Sequence, residues 1–236
     1  SSWKNKKHAQ QWRNTIKTYA SDQIGHLPVQ AIDIGFITQV LSPIWVSKNE
    51  TASRLRSRLE LILAWATVNG YRVGENPALW RNQLDKVLPR RSLVRRTTHH
   101  RALPYDEIGA FIRQLRAEMG VSPRALEFLV LTATRTSETL NAEWIEIDEA
   151  RALWIIPGHR MKGKQEHRVP LSSRALEILV SVRGQDDRFI FPSYRKGRPL
   201  SNMALLKVLE RMNFDVTVHG FRSTFRDWTA EKTNFA

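Results

Sequence analysis

Apolar positions recur at three- and four-residue steps along most of this chain and at two-residue steps in one short stretch, a pattern that predicts a mainly helical protein with a little antiparallel sheet. Between Asn49 and Ala66, the residues Leu55, Leu59, Ile62, Leu63 and Ala66 form one stripe, with Asn49 or Thr51 as the expected cap. Gly70, Gly74 and the pair Asn76 and Pro77 punctuate the end of this helical region. Trp3, Trp12, Trp45, Trp65 and Trp80 are expected to pack rather than to stack on bases. Further on, Leu103 to Glu107 starts a helix carried by Ile108, Phe111, Ile112 and Leu115. A second apolar helix runs from about Ala125 to Thr132, directly into Thr134-Arg135-Thr136-Ser137-Glu138, which reads as a cap before Leu140 and Trp144.

From Ala152 the period shifts toward two. Leu153 to Pro157 reads as a short strand, and Arg160 to Leu171 as a hairpin with Gly163 near its turn, Val169 facing inward and Pro170 ending it. Helices resume with Ser172 and Ser173 as caps before Ala175, Leu176, Ile178 and Leu179, and with Asn202 before Leu205, Leu206 and Leu209. The last segment, V-H-G-F-R-S-T-F-R-D-W, puts His219 and Arg222 on one helix face and leaves Phe221, Phe225 and Trp228 to turn inward.

One stretch breaks the periodicity. P-R-R-S-L-V-R-R-T-T-H-H-R-A carries Arg90, Arg91, Arg95, Arg96 and Arg101 with no acidic residue, and is expected to be an extended linker. The expected organisation is therefore a helical domain over 1–88, a basic linker over 89–103 and a second, mainly helical domain with a small antiparallel sheet over 104–236. The 236 residues are enough for a core in each domain.

Charge changes the picture more than composition does. Lys and Arg number 37 against 23 Asp and Glu, a net +14, the electrostatic footprint of a polyanion binder. Each phosphate that the linker arginines neutralise would release counterions. Arg54 and Arg58, four apart on another face of the first helix, are suited either to DNA phosphates or to solvent. The absence of cysteine excludes a disulfide framework and a thiolate zinc site and fits a reducing compartment. No signal peptide and no apolar run of about 18 residues is present, so a soluble, intracellular protein is expected. The chain opens inside a helix-like segment, so a preceding portion is expected as well. His99 and His100 lack carboxylate or cysteine neighbours at metal-ligand spacing.

Four basic residues in fixed order carry the candidate chemistry: Arg135, Lys162, His219 and Arg222. Attack on a phosphodiester gathers negative charge on the non-bridging oxygens and on the departing sugar oxygen, which preorganised cations stabilise. Two arginines can grip the phosphate as forks, a lysine can protonate the leaving oxygen and a histidine can handle a proton. Such a set needs no metal and no nucleotide cofactor.

Taken together, T-A-T-R-T-S-E-T-L-N-A-E-W, M-K-G-K-Q-E-H-R-V-P-L-S and H-G-F-R-S-T-F-R-D-W resemble the tyrosine recombinases, or phage integrases, of prophages and genomic islands. The resemblance spans nearly the whole chain, with residues 3–88 similar to that family's helical core-binding domain. It implies that Arg135 and Arg222 hold the scissile phosphate, that Lys162 is the general acid and that Glu138 orders the arginine turn. It further implies double-stranded attachment-site DNA as partner, four protomers on two sites, DNA-bending accessory proteins and a bacterial cytoplasmic setting.

The resemblance also implies a tyrosine nucleophile after the second arginine. Tyr19, Tyr71, Tyr105 and Tyr194 all precede His219, so none matches that place, and the family's arm-binding domain has no counterpart here. The expectation is the central clamp of a longer integrase. A DNA-binding remnant without a nucleophile and a type IB topoisomerase are the alternatives, and a metal-dependent nuclease fits least because no carboxylates cluster near the basic set.

Overall fold

The structure, a computed structural model, describes residues 6–94 and 101–235, the side chains of 6, 7 and 91 excepted. It divides into two compact units, Ser1–Thr98 and His99–Ala236.

The first unit is helical. Helix α1 (Lys6–Ile16) continues through a π-helical turn, Lys17–Ser21, into α2 (Asp22–Ile24), and is followed by α3 (Ile34–Trp45), α4 (Asn49–Val68) and α5 (Arg91–Val94). The Asp33 carboxylate caps α3 by accepting from the Phe36 amide at 3.0 Å. Ile37, Val40, Leu41 and Ile44 of α3 meet Leu55, Leu59 and Leu63 of α4 in one core. The α4 stripe is thus present with corrections. The helix starts at Asn49 behind an uncapped Lys48, and the Asn49 amide instead donates to the Trp45 carbonyl at 2.9 Å, tying the two helices. Ile62 and Trp65 are exposed, and Trp65 stacks on Tyr71 at 5.6 Å instead of packing inward.

Trp45 stacks on Trp80 at 5.5 Å, and its indole N–H donates to the Pro89 carbonyl at 2.8 Å. That bond fastens the start of the basic stretch to the first unit. Arg91–Val94 is a helical turn, with Val94 against the core, where extended chain is expected from sequence. An apolar contact is available to Val94, and this outweighs the charge repulsion that favours extension.

The second unit contains α6 (Ile108–Ala117), α7 (Val121–Thr132), α8 (Thr136–Leu140), β1 (Ile147–Asp148), β2 (Leu153–Ile156), β3 (His167–Pro170), α9 (Ser173–Val182), α10 (Ala204–Arg211) and α11 (Gly220–Lys232). The sheet order is β1-β2-β3, antiparallel throughout. One hairpin, with Ile156 opposite His167 and Leu153 opposite Pro170, replaces the expected strand followed by a separate hairpin. Val169 does face inward, and Ser172 does cap α9, accepting from the Ala175 amide at 3.3 Å. The core is aromatic: Phe128 lies 5.4 Å from both Trp154 and Phe191, and Phe111 packs on Phe214 and Phe221.

A buried charge cluster joins α6, α7 and α9. Glu127 is wholly buried and receives Arg116 at 2.7 Å and Arg174 at 2.8 and 3.0 Å. Burial alone would push this carboxyl up; the hydrogen bonds from Arg174 and Arg116 outweigh it and hold the pKa below the usual range. Its contribution to stability is therefore present at neutral pH and lost as pH falls through that lowered value. Arg174→Met strands part of a buried negative charge and should destabilise the fold by about 2 to 3 kcal/mol. Glu127→Gln should cost less, because the half-exposed arginines can turn to water. Urea titrations of the two variants check the order, and the reverse order would contradict it.

Candidate active site

Hydroxyl groups fold the T-A-T-R-T-S-E segment. The Thr132 hydroxyl donates to the Phe128 carbonyl at 2.7 Å and lies 3.0 Å from that of Thr134, which in turn lies 2.8 Å from that of Thr139. Between them Ala133 takes a left-handed conformation, φ 49°, that ends α7 and turns the chain sharply into α8. Arg135 stands at the N-terminus of α8 in extended conformation. The Glu138 carboxylate accepts its backbone N–H at 2.9 Å, as in a capping box, and its guanidinium at 2.6 Å. Glu138 is buried, whereas the Arg135 side chain is 42% exposed. The carboxylate fixes the turn and leaves part of the guanidinium facing solvent.

The H-G-F-R segment is shaped by a close approach. A Cβ at Gly220 would lie 2.9 Å from the Ala102 Cα and closer still to the Arg101 carbonyl oxygen. That carbonyl accepts from the Thr217 amide at 2.9 Å, and the Thr224 hydroxyl donates to the Leu103 carbonyl at 2.5 Å. Residues 101–103 thus lie across the start of α11, and only glycine leaves them room. Phe221 is buried against Phe111, as its spacing predicts. Phe225 and Trp228 are not: both stay exposed, pack on each other at 5.9 Å and line an open apolar groove with Ile108, Ile112 and Val130.

Arg222 reaches back across the unit and donates to the Ala133 carbonyl. The second arginine is thereby hydrogen-bonded to the turn that displays the first. Ala133, His167, His219 and Arg222 line one open cavity of about 700 Å³. Lys162 is exposed on the β2–β3 connection; neither it nor Arg135 is among the residues lining that cavity.

The other sequence candidates fare unevenly. Arg54 is exposed and paired with Glu50 at 3.0 Å. Arg58 is a correction: it is buried, donates to the Gln11 carbonyl at 3.0 Å and lies over the Trp12 ring at 5.4 Å. Burial, and then the charge of Arg54, hold its pKa below the usual guanidinium value. Both arginines line a cleft of about 520 Å³ with Trp12, Ser53 and Ser57. Arg90 is exposed, and Arg101 is exposed but paired with Asp215. The side chains of Arg91, Arg95 and Arg96, together with Trp3, His99 and His100, lie outside the described residues. Among the described residues no group of three or more His, Asp or Glu could hold a metal ion, and no helix is long and apolar enough to cross a membrane.

Of the tyrosines, Tyr105 donates to Glu231 at 2.7 Å, and this hydrogen bond is the main cause that pushes its pKa up to about 12. Its proton is harder to remove than an ordinary phenol's, which disfavours it as a nucleophile. Tyr194 is 92% exposed on a loop, and Tyr19 and Tyr71 belong to the first unit. Sequence reasoning missed the hydroxyl chain and the steric role of Gly220. The glycine between His219 and Phe221, inside a helix start, is the signal that marked the second.

His219 and Arg222 at the start of α11 line an open cavity, and Arg222 is bonded to the turn that bears Arg135 at the start of α8, an arrangement whose chemistry suits a phosphate. Comparison with known proteins makes that chemistry specific. Residues 1–83 match the family model described as the phage integrase central domain, and residues 101–233 match that of the phage integrase family. The chain belongs to the phage integrase family, the tyrosine recombinases. It is 31% identical to the prophage integrase IntZ of Escherichia coli, over 92% of this chain and 54% of that protein. It is 28% identical to the integrase of Enterobacteria phage P4, over 89% and 51%. The chain thus spans about half the length of these curated relatives. Its fold is that of a lambda integrase (75-356) dimer bound to a COC' core site, with TM-score 0.76, 17% identity and coverage of 99% of this chain and 83% of that one. It is likewise that of the Tn1549 transposon integrase (aa 82-397) in complex with circular intermediate DNA, with TM-score 0.75, 14% identity and coverage of 99% and 84%.

Gly220→Ala tests the local architecture. The added methyl group meets backbone rather than a flexible side chain, so the second unit should lose about 1 to 3 kcal/mol. A chemical denaturation midpoint equal to that of the unchanged protein would show that α11 is not wedged in this way.

Proposed function

We propose that this chain is the DNA-clamping and phosphate-holding part of a site-specific recombinase that integrates and excises a mobile element at chromosomal attachment sites. The observation that carries the reading is the Arg222 bond to the Ala133 carbonyl, which places the second arginine and His219 beside the turn that displays Arg135. In this reading Arg135 and Arg222 hold the scissile phosphate and stabilise the charge that develops there. His219 assists proton transfer, Lys162 protonates the departing 5'-oxygen and Glu138 orders the arginine turn. The nucleophile is a tyrosine outside this chain, and its 3'-phosphotyrosyl ester conserves the bond energy until a free 5'-hydroxyl reseals the strand.

Residues 1–88, within the first unit, serve as core-binding domain, 89–103 as a basic linker and 104–236 as the catalytic domain. Arg54, Arg58, Arg90, Arg91, Arg95, Arg96 and Arg101 supply phosphate contacts. Arg58 then acts from the wall of its cleft rather than from a solvated face. Double-stranded attachment-site DNA is the substrate, four protomers assemble on two sites with DNA-bending accessory proteins, and the setting is the bacterial cytoplasm. The lengths of the curated relatives support a longer protein as the working unit.

The test is covalent trapping on a nicked attachment-site duplex, using this chain extended by a tyrosine-bearing segment after α11. A protein–DNA adduct is expected. Site-specific binding without an adduct would make the chain a DNA-binding regulator, and relaxation of plasmid at no particular site would make it a topoisomerase. Within that assay Arg135→Ala or Arg222→Ala should slow adduct formation by about two to three decades, with a much smaller loss of DNA affinity. Equal losses of binding and cleavage would contradict the assigned roles. Replacing both Arg95 and Arg96 by alanine should reduce the slope of log affinity against log salt by about two, at every DNA sequence tested. An unchanged slope would remove the linker from the DNA backbone.

A further inference from the structure

The carboxylate of Glu146 is buried, yet it accepts three donors. The Trp154 indole N–H reaches it at 2.9 Å and the Glu143 amide at 3.3 Å, and the Arg160 guanidinium pairs with both of its oxygens. Arg160 does not stop there. Its second terminal nitrogen donates at 2.6 Å to the backbone carbonyl of Glu138, the residue whose side chain fixes Arg135. The Arg160 side chain is only 14% exposed, so this cation has been taken out of water to bridge two backbone segments, a cost that complete pairing must offset.

The segments it bridges are informative. Arg160 ends the turn Gly158–Arg160 and is two residues ahead of Lys162, in a loop that is itself closed. The Lys164 amide donates to the Met161 carbonyl at 3.1 Å, Met161 packs on the core, and a Cβ at Gly158 would lie 2.6 Å from the Lys164 carbonyl oxygen. One guanidinium therefore ties the loop that carries Lys162 to the helix that carries Arg135 and Glu138.

We propose that Arg160, braced by Glu146, is a positioning residue that sets Lys162 relative to the phosphate held by Arg135. The inference rests on the recombinase reading for its consequence, though not for the brace itself. In that reaction the tyrosine hydroxyl passes its proton to His219 as its oxygen forms the new bond to phosphorus, the bond from phosphorus to the 5'-oxygen breaks, and the Lys162 ammonium gives its proton to the departing oxygen and becomes neutral. An acid transfers that proton only from hydrogen-bond reach, so a loop free to drift would slow this step in particular. Lysine cannot substitute for Arg160, because an ammonium supplies charge to Glu146 without the fork that also reaches the Glu138 carbonyl. Arg160→Lys consequently keeps the buried charge pair and cuts only the brace.

Two measurements test this. In the chain as it stands, Arg160→Lys should speed amide hydrogen exchange at Lys162 to Lys164 and at Thr139 to Asn141 together, and leave α6 unchanged; unaltered exchange at either segment would overturn the brace. In the tyrosine-extended protein, Arg160→Lys should slow cleavage of ordinary DNA by about ten- to a hundredfold. A duplex with sulfur in place of the bridging 5'-oxygen should largely restore the rate, because a thiolate leaves without a proton. Lys162→Ala should show the same restoration and Arg135→Ala should not. Equal slowing of Arg160→Lys on both substrates would reduce Arg160 to a fold residue. Glu146→Gln, which keeps shape and loses charge, repeats the comparison if Arg160→Lys does not fold. An unchanged protein that cleaves neither duplex would sink the recombinase reading, and hydrogen exchange would still decide the brace.

Discussion

The hydrogen bond from Arg222 to the Ala133 carbonyl is the contact on which the rest of the second unit's arrangement depends. It joins residues far apart in sequence and forms only if two local problems are solved first. The chain must reverse between α7 and α8 so that a carbonyl points away from both helices, which the left-handed Ala133 and the linked hydroxyls of Thr132, Thr134 and Thr139 achieve. Helix α11 must also start close enough to the 101–103 segment to bring Arg222 within reach, which Gly220 permits. The motifs that look like lists of catalytic residues are therefore largely folding instructions.

The same logic separates what holds the site from what would act in it. Glu138, Glu146 and Glu127 are buried carboxylates, each engaged by at least one arginine. Glu138 and Glu127 hold Arg135, Arg116 and Arg174 with part of each guanidinium side chain exposed, whereas Glu146 holds an Arg160 taken out of water. A structure built this way is suited to a polyanionic partner, and belonging to the phage integrase family gives that suitability a chemical meaning.

How much was legible in the sequence depended on whether a residue's neighbours were local. The buried face of α4 was legible because Leu55, Leu59, Leu63 and Ala66 obey a helical period; the same period wrongly drew in Ile62, which sits at the edge of the stripe where burial ends. Phe225 and Trp228 have the right spacing and chemistry for a core, but they border an open groove and stay partly in solvent, which periodicity cannot reveal. Arg135, Lys162, His219 and Arg222, with Glu138 in support, could be proposed from sequence because the resemblance fixed their order; the contact between Arg222 and the turn before Arg135 could not, since it is tertiary. Arg58 was not, since its burial depends on α1 crossing it, and Arg160 was passed over because its two partners, Glu146 and Glu138, meet it only through tertiary folding.

The central claim is that Arg135 and Arg222 act on the charge of one particular phosphate. Replacing a single non-bridging oxygen at the cleavage position by a methyl group removes that charge and leaves the rest of the DNA unchanged. With the tyrosine-extended protein, the account predicts that Arg135→Ala and Arg222→Ala, slow on the natural duplex, approach the rate of the unchanged protein on the neutral one, because the charge they are missing no longer needs stabilising. Variants that remain as slow on the neutral phosphate as on the charged one would contradict the account and place both arginines in attraction or folding alone.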